Sequence, residues 1–347
     1  MSRISALSSN ALLTKSRAMN SHILTDDDYA QLVNCRSYND IMAYLKANTV
    51  YEKIVGELYS RNIYRARLEA EIRKFNNSRI AELAAFENAI GQSLHEIIYL
   101  KNDVRLILSC ANHLDTSEIS DYSLLTPEAY FKHSDLNPDK LEMATSLTEF
   151  YEALGNTPYK KALDVFVVGK APFYISSLEN TLYRYMYSQI TPLVKKNYTG
   201  DSQKQIFELL HSEADYRTLE SIYRMKRFFP GEQLTLNKIS YSGFSAFTVN
   251  EIEQMMAAGS TDELFRLFKK GDYARYFDEK AKGPIELCTR LALLKANRKR
   301  LLFSTEPEVT MLAFIGILEN ETKNLIHIIE GVRYRLSGQQ ILDFIVT

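Results

Sequence analysis

The sequence predicts an all-α protein made of three similar helical modules, at 1–125, 126–245 and 246–347. Three observations carry that expectation: few helix breakers, a helix-start signal that recurs three times, and a second amphipathic landmark that follows each start at similar distance. Only 13 of the 347 residues are Gly and 8 are Pro, while 46% are hydrophobic and 24% charged. That balance suits a helical chain with a sizeable core and excludes a disordered one.

The starts are SYNDIMAYLKANTVY from Ser37, SLTEFYEALGNTPY from Ser146 and STDELFRLFKKGDY from Ser260. Each opens on a serine with an acid three residues on, Asp40, Glu149 or Glu263. This is the capping-box pattern, in which the hydroxyl accepts the third amide of the helix and the carboxylate reaches back. Apolar residues follow at i, i+3 and i+4, namely Ile41, Tyr44 and Leu45, then Phe150, Ala153 and Leu154, then Leu264, Leu267 and Phe268. Such spacing predicts one buried stripe per helix. Every start closes on a tyrosine, Tyr51, Tyr159 or Tyr273, after a helix-breaking Asn-Thr, Asn-Thr-Pro or Lys-Gly-Asp.

The second landmark lies 63, 66 and 58 residues beyond the capping acid. It reads acid, base at +2, apolar at +4 and +7: Asp103, Arg105, Ile107, Cys110; Asp215, Arg217, Leu219, Ile222; Glu321, Lys323, Leu325, Ile328. Copies two and three share an ending, RFFPGEQL from Arg227 and RYRLSGQQI from Arg333, in which Pro-Gly or Ser-Gly is expected to stop the helix. The closing tyrosines are 108 and 114 residues apart. A period above 100 exceeds the 20 to 50 residues of common solenoid repeats, so each module is expected to hold its own core. Three such modules can close into a ring or funnel or stack as an open array, and the pattern leaves both open.

Formal net charge is −1, from 42 basic and 43 acidic residues, so no global field favours nucleic acid or a membrane. Cys35, Cys110 and Cys288 are odd in number and far apart, which predicts reduced thiols and neither a disulfide framework nor a metal knuckle. The longest apolar candidate, 309–318, is half a membrane span, and no secretory signal opens the chain. The six histidines form no H-E-x-x-H or H-x3-H pair, and neither glycine-rich phosphate-loop pattern occurs. His95 with Glu96, and His113 near Asp115, come nearest to an acid–base cluster. The expectation is no catalytic residue, no cofactor and no metal. Basic clusters lie at RNIYRARLEAEIR (61–73) and KANRKR (295–300). In the first, Arg65 with Glu69 and Arg67 with Glu71 predict a solvated helix face; the second, unmixed in sign, is the better dock for an acidic partner.

The triple module, together with KSRAM (15–19), the opening LTDDDYAQLVNCRSYNDIMAYLKANTVY (24–51), YLKNDVRLIL (99–108) and ENETKNLIHIIEGVRYRLSGQQI (319–341), resembles the C/d-type family of V-type and archaeal-type (A-type) rotary ATPase subunits over the length of the chain. The resemblance implies three helical domains about a pseudo-threefold axis, forming a hollow funnel. It implies a non-catalytic central-stalk subunit that seats the axle subunits on the membrane proteolipid ring, for proton or sodium transport. The place implied is the cytoplasmic face of a bacterial or archaeal membrane, reached only through the complex. The family pattern in the last helix is matched by Glu321, Asn324, Leu325 and Ile328; Thr218 and Leu106 stand where Asn324 would in copies two and one. Arg298, Lys299, Arg300, Glu321 and Asn324 are the candidate partner-binding residues. The alternative from another class is a cytosolic helical-repeat scaffold or adaptor.

Overall fold

The computed structural model describes residues 3–54, 65–91, 93–116, 134–167, 174–229, 235–236, 243–269, 275, 277 and 284–347. Every regular element among them is a helix, and the protein is all-α. The helices are α1 (Arg3–Asn20), α2 (Asp26–Leu32), α3 (Tyr38–Asn48), α4 (Arg65–Ala89), α5 (His95–Thr116), α6 (Pro138–Glu142), α7 (Leu147–Ala153), α8 (Pro158–Val167), α9 (Ile175–Asn197), α10 (Gly200–Phe228), α11 (Val249–Ala257), α12 (Thr261–Leu267), α13 (Ile285–Phe303), α14 (Pro307–Arg333) and α15 (Gly338–Leu342). Two compact units contain them, one of Met1–Phe86 with Asp272–Thr347, the other of Glu87–Gly271. The sequence boundary near 125 lies outside the described residues, and that near 245 falls in the turns at 243–247.

The first unit is organised around α14, which is buried on nearly all sides from Pro307 to Leu318. Proline at its first turn costs nothing there, because that amide would be unpaired in any case. Helices α1, α3, α13 and α15 pack on it. At its crossing with α13 the contact is so close that a Cβ on Gly316 would collide with the side chain of Asn297. Ile41, Leu45 and Tyr51 share one core with Leu325, Ile328 and Ile329. The opening helix of copy one therefore buries its stripe against the landmark helix of copy three.

In the second unit α5 packs on α6 and α9, α9 on α8 and α10, and α11 on α12. The landmark stripes are buried as expected, with Ile107, Leu219 and Ile222 at 0% exposure and Cys110 at 1%. Leu267 departs from expectation. It is 36% exposed, because α12 ends there and Phe268, at the C-cap, carries the stripe inward.

The three opening serines cap their helices, each accepting the amide of the acid three residues on. Their carboxylates, however, reach one residue further back than a capping box requires: Asp40 accepts from the Arg36 amide (3.1 Å), Glu149 from Thr145 (2.9 Å) and Glu263 from Gly259 (2.7 Å). Reciprocal boxes occur instead at Thr25 with Asp28, Thr248 with Glu251 and Ser337 with Gln340. Backbone angle separates the two sets. Cap φ is −84°, −71° and −67° in the boxes but −144°, −138° and −146° at the opening serines, which turns their own amides away from the helix. The shared ending is also corrected. Helix α14 stops through Arg335 at φ 54°, with Leu336 and Arg335 amides donating to Gly331 and Val332, a Schellman closure. Ser337 and Gly338 begin the next helix. The Pro-Gly of copy two lies outside the described residues.

Candidate functional site

Each landmark acid is held by hydrogen bonds from a neighbouring segment. Glu321 on α14 is 1% exposed. One carboxylate oxygen accepts the Tyr51 hydroxyl at 2.7 Å and the other the Leu24 amide at 2.5 Å. Asn76 on α4 bonds Tyr51 and donates to Thr322, while the Arg79 guanidinium stands 3.8 Å from Glu321. Burial pushes Glu321 up to about 7, against the opposing pull of Leu24, Tyr51 and Arg79. This node joins α14 and α4 to the segments on either side of α2 and α3.

Two equivalents lie in the second unit. Asp103 on α5 accepts the Tyr159 hydroxyl at 3.1 Å and bonds Ser134; burial raises it to about 6. Asp215 on α10, 1% exposed, accepts the Ser245 hydroxyl and, at 3.1 Å, the Ala246 amide. Tyr216 and Phe247 flank Phe268 beside it, while Tyr273 lies outside the described residues. In each case the acid of one copy holds the segment that opens the next, and Glu321 of the last copy holds the opening of the first.

Sequence reasoning singled out the three acids, Tyr51 and Tyr159 but missed Ser134, Ser245 and the short helices α2, α6 and α11. A signal was present. Each short helix starts with a buried apolar residue followed by a cap, Leu24-Thr25, Leu136-Asn137 or Phe247-Thr248.

The remaining candidates fall in the first unit. Asn324 is 0% exposed; its carbonyl accepts from Arg290 (2.8 Å) and the Val346 amide (3.0 Å), and its amide donates to the Val346 carbonyl (2.7 Å). It fastens the 343–347 segment to α14. Thr218, at the matching position, bonds within its own helix to Ala214, and Leu106 is plain core. Arg298 and Lys299 are exposed and Arg300 half-buried on the last turns of α13. Beyond them Leu302 and Phe303 are 63% and 75% exposed. Arg17, from the KSRAM stretch, donates to the carbonyls of Leu301, Leu302 and Ser304 at 3.0 Å each. It closes the C-terminus of α13, where a cation is favoured.

His95 meets Glu87 (2.6 Å) and not Glu96, and Glu87 also accepts the amides of Leu94 and His95. The pair thus anchors the N-terminus of α5, a natural seat for a carboxylate. Side chains of His113 and Asp115 lie outside the described residues. Among the described residues no cluster of three His, Cys, Asp or Glu could hold a metal, and no helix is long and apolar enough to cross a membrane. Arg65 pairs with Glu69 (3.2 Å) and Arg67 with Glu71 (3.0 Å), as the spacing predicts.

Residues 12–344 match the family model described as ATP synthase (C/AC39) subunit. The chain belongs to that family. No curated protein matches it significantly. As a C/AC39 subunit it belongs with the rotary ATPases, and its working context is that multi-subunit complex. The resemblance read from 15–19, 24–51, 99–108 and 319–341 falls within the matched span, and the buried nodes now give those stretches a physical role. Arg17 caps α13, Leu24 and Tyr51 grip Glu321, and Asp103 receives Tyr159.

Proposed function

We propose that this C/AC39 subunit is a non-catalytic central-stalk adaptor that couples the rotating axle to the membrane proteolipid ring, for proton or sodium transport, at the cytoplasmic face. Its three modules, 1–125, 126–245 and 246–347, of which the first and third share a core, act as linked stiff blocks in a funnel. The single observation that supports this most is the recurring buried node, in which a landmark acid ties a long helix to the next opening segment. Torque transmission needs segments that do not shear past one another, and buried, mutually satisfied polar groups resist shear because breaking one strands its partners. Arg298, Lys299 and Arg300 are the side chains assigned to the contact. Glu321 and Asn324, both buried, act on it by holding α14 and the 343–347 segment in place.

The test is light scattering of the purified chain with the axle subunits of the same complex, at low and high salt. A one-to-one complex weakened by salt is expected, since exposed charges are screened over about 8 Å at physiological ionic strength. No complex at any salt would return the chain to the scaffold reading.

A further inference from the structure

The end of α13 carries the basic residues assigned above to the coupling contact, and that assignment leaves open the chemistry they meet. Between 287 and 305 there are five basic residues and no acid, and none of residues 1–25 is acidic. Arg290 is turned inward onto Asn320 and Asn324. Lys295, Arg298, Lys299, Leu302 and Phe303 are all exposed, and at 100° per residue they fall within one arc of the helix. Arg17 lies on the carbonyls at its tip. Glu286 and Glu306 bound the acid-free stretch, and Glu82 of α4 is engaged by Lys15 at 2.7 Å.

We propose that this face docks on an anionic bilayer surface. Leu302 and Phe303 enter the boundary between headgroups and acyl chains, and Lys295, Arg298 and Lys299 lie over lipid phosphates. Basic and apolar side chains interleaved on one helical arc, with no acid among them, match an interfacial contact. Lysine and arginine can rest their stems on the apolar layer while their charges reach phosphate, and polybasic segments are drawn to anionic leaflets. Leu302 and Phe303 are among the most exposed large apolar side chains of the described residues, which fits insertion. The inference rests on the adaptor reading in placing the chain beside a membrane, and it gives Arg298 and Lys299 the lipid side of that reading's contact.

The experiment is co-sedimentation of the full chain with vesicles of phosphatidylcholine alone and with about one-third phosphatidylglycerol. Binding to the anionic vesicles alone is expected. It should weaken more than tenfold in Arg298→Glu/Lys299→Glu, at about fivefold or more per basic residue, and several-fold in Leu302→Ser/Phe303→Ser. Circular dichroism checks that the variants fold, and Phe303→Ser alone serves if a double variant does not. No binding to anionic vesicles, or binding that neither variant alters, overturns the proposal. If the variants lose binding to isolated axle subunits while vesicles stay unbound, the face belongs to an acidic protein. A chain that binds lipid but no axle subunit contradicts the adaptor reading and leaves this one standing.

Discussion

The Glu321 node of the first unit and the Asp215 node of the second occupy the same place in the repeat but use different side chains. Asp215 is one methylene shorter and reaches the opening segment through the Ser245 hydroxyl as well as the Ala246 amide. Three residues before the cap, where copies two and three have Ser134 and Ser245, the first opening has His22. There Glu321 spans the gap itself, bonding the Leu24 amide directly. Side-chain length on the helix and a hydroxyl on the segment are thus exchanged within one chain. The position is held by a geometric requirement, an acceptor at a fixed point beside the opening, and not by a residue type.

The largest effect that would break this comparison is removal of the acceptor. Glu321→Ala strands the Leu24 amide, leaves the Tyr51 hydroxyl with Asn76 alone and removes the carboxylate beside Arg79, and should cost about 3–5 kcal/mol in urea unfolding. A cost under about 1 kcal/mol would show that the node is not structural. Glu321→Asp sharpens the point. Alone it should cost about 2 kcal/mol, and adding His22→Ser should recover about half of that if length and hydroxyl are interchangeable.

Next in size is pH. Burial raises Glu321 to about 7 and Asp103 to about 6. The folded chain therefore holds protons that the unfolded chain releases, and stability present at low pH is lost as pH rises from the ordinary carboxylate range through 6 to 7. For Glu321 this amounts to up to about 3 kcal/mol. The exposed acids Asp40 and Glu149 behave oppositely. Hydrogen bonds from Ser37 and Thr145 lower them, so their contribution exists above the ordinary range and is lost on acidification. Buried His211, lowered to about 4, works the other way, so the readout is a difference: relative to Glu321→Gln, which mimics the protonated acid, the melting temperature of the unaltered chain should fall as pH rises from about 5 to 7. An unchanged slope in the variant would assign the pH dependence elsewhere.

Smaller still, Ser245→Ala should cost about 1–2 kcal/mol by removing one donor to a buried carboxylate. The smallest expected effect has the opposite sign. Arg335→Gly relieves a left-handed backbone and should stabilise by about 0.5–1 kcal/mol, read as a rise in melting temperature.

Much of this was legible in the sequence because caps and stripes are local. Ser37, Ser146 and Ser260 start helices, and Ile107, Leu219 and Leu325 are buried, as their spacing requires. Periodicity says which face is buried but not what covers it. Nothing around Ile41 or Tyr51 indicates that their partners lie some 270 residues away on α14. The depth of Glu321 and Asn324 was hidden for the same reason, since an acid and an amide on an amphipathic helix read equally well as surface groups. Leu267 failed as a buried residue because a seven-residue helix ends before its stripe completes another turn. The reach of Asp40, Glu149 and Glu263 past the cap depends on a backbone φ that residue type does not specify.

ATP-driven ion uptake by membrane vesicles, reconstituted with the rotary complex with and without this chain, tests the coupling role most directly. The account predicts that the head continues to hydrolyse ATP without the chain while ion uptake collapses, and that adding the chain restores uptake. Full ion uptake in its absence would contradict it.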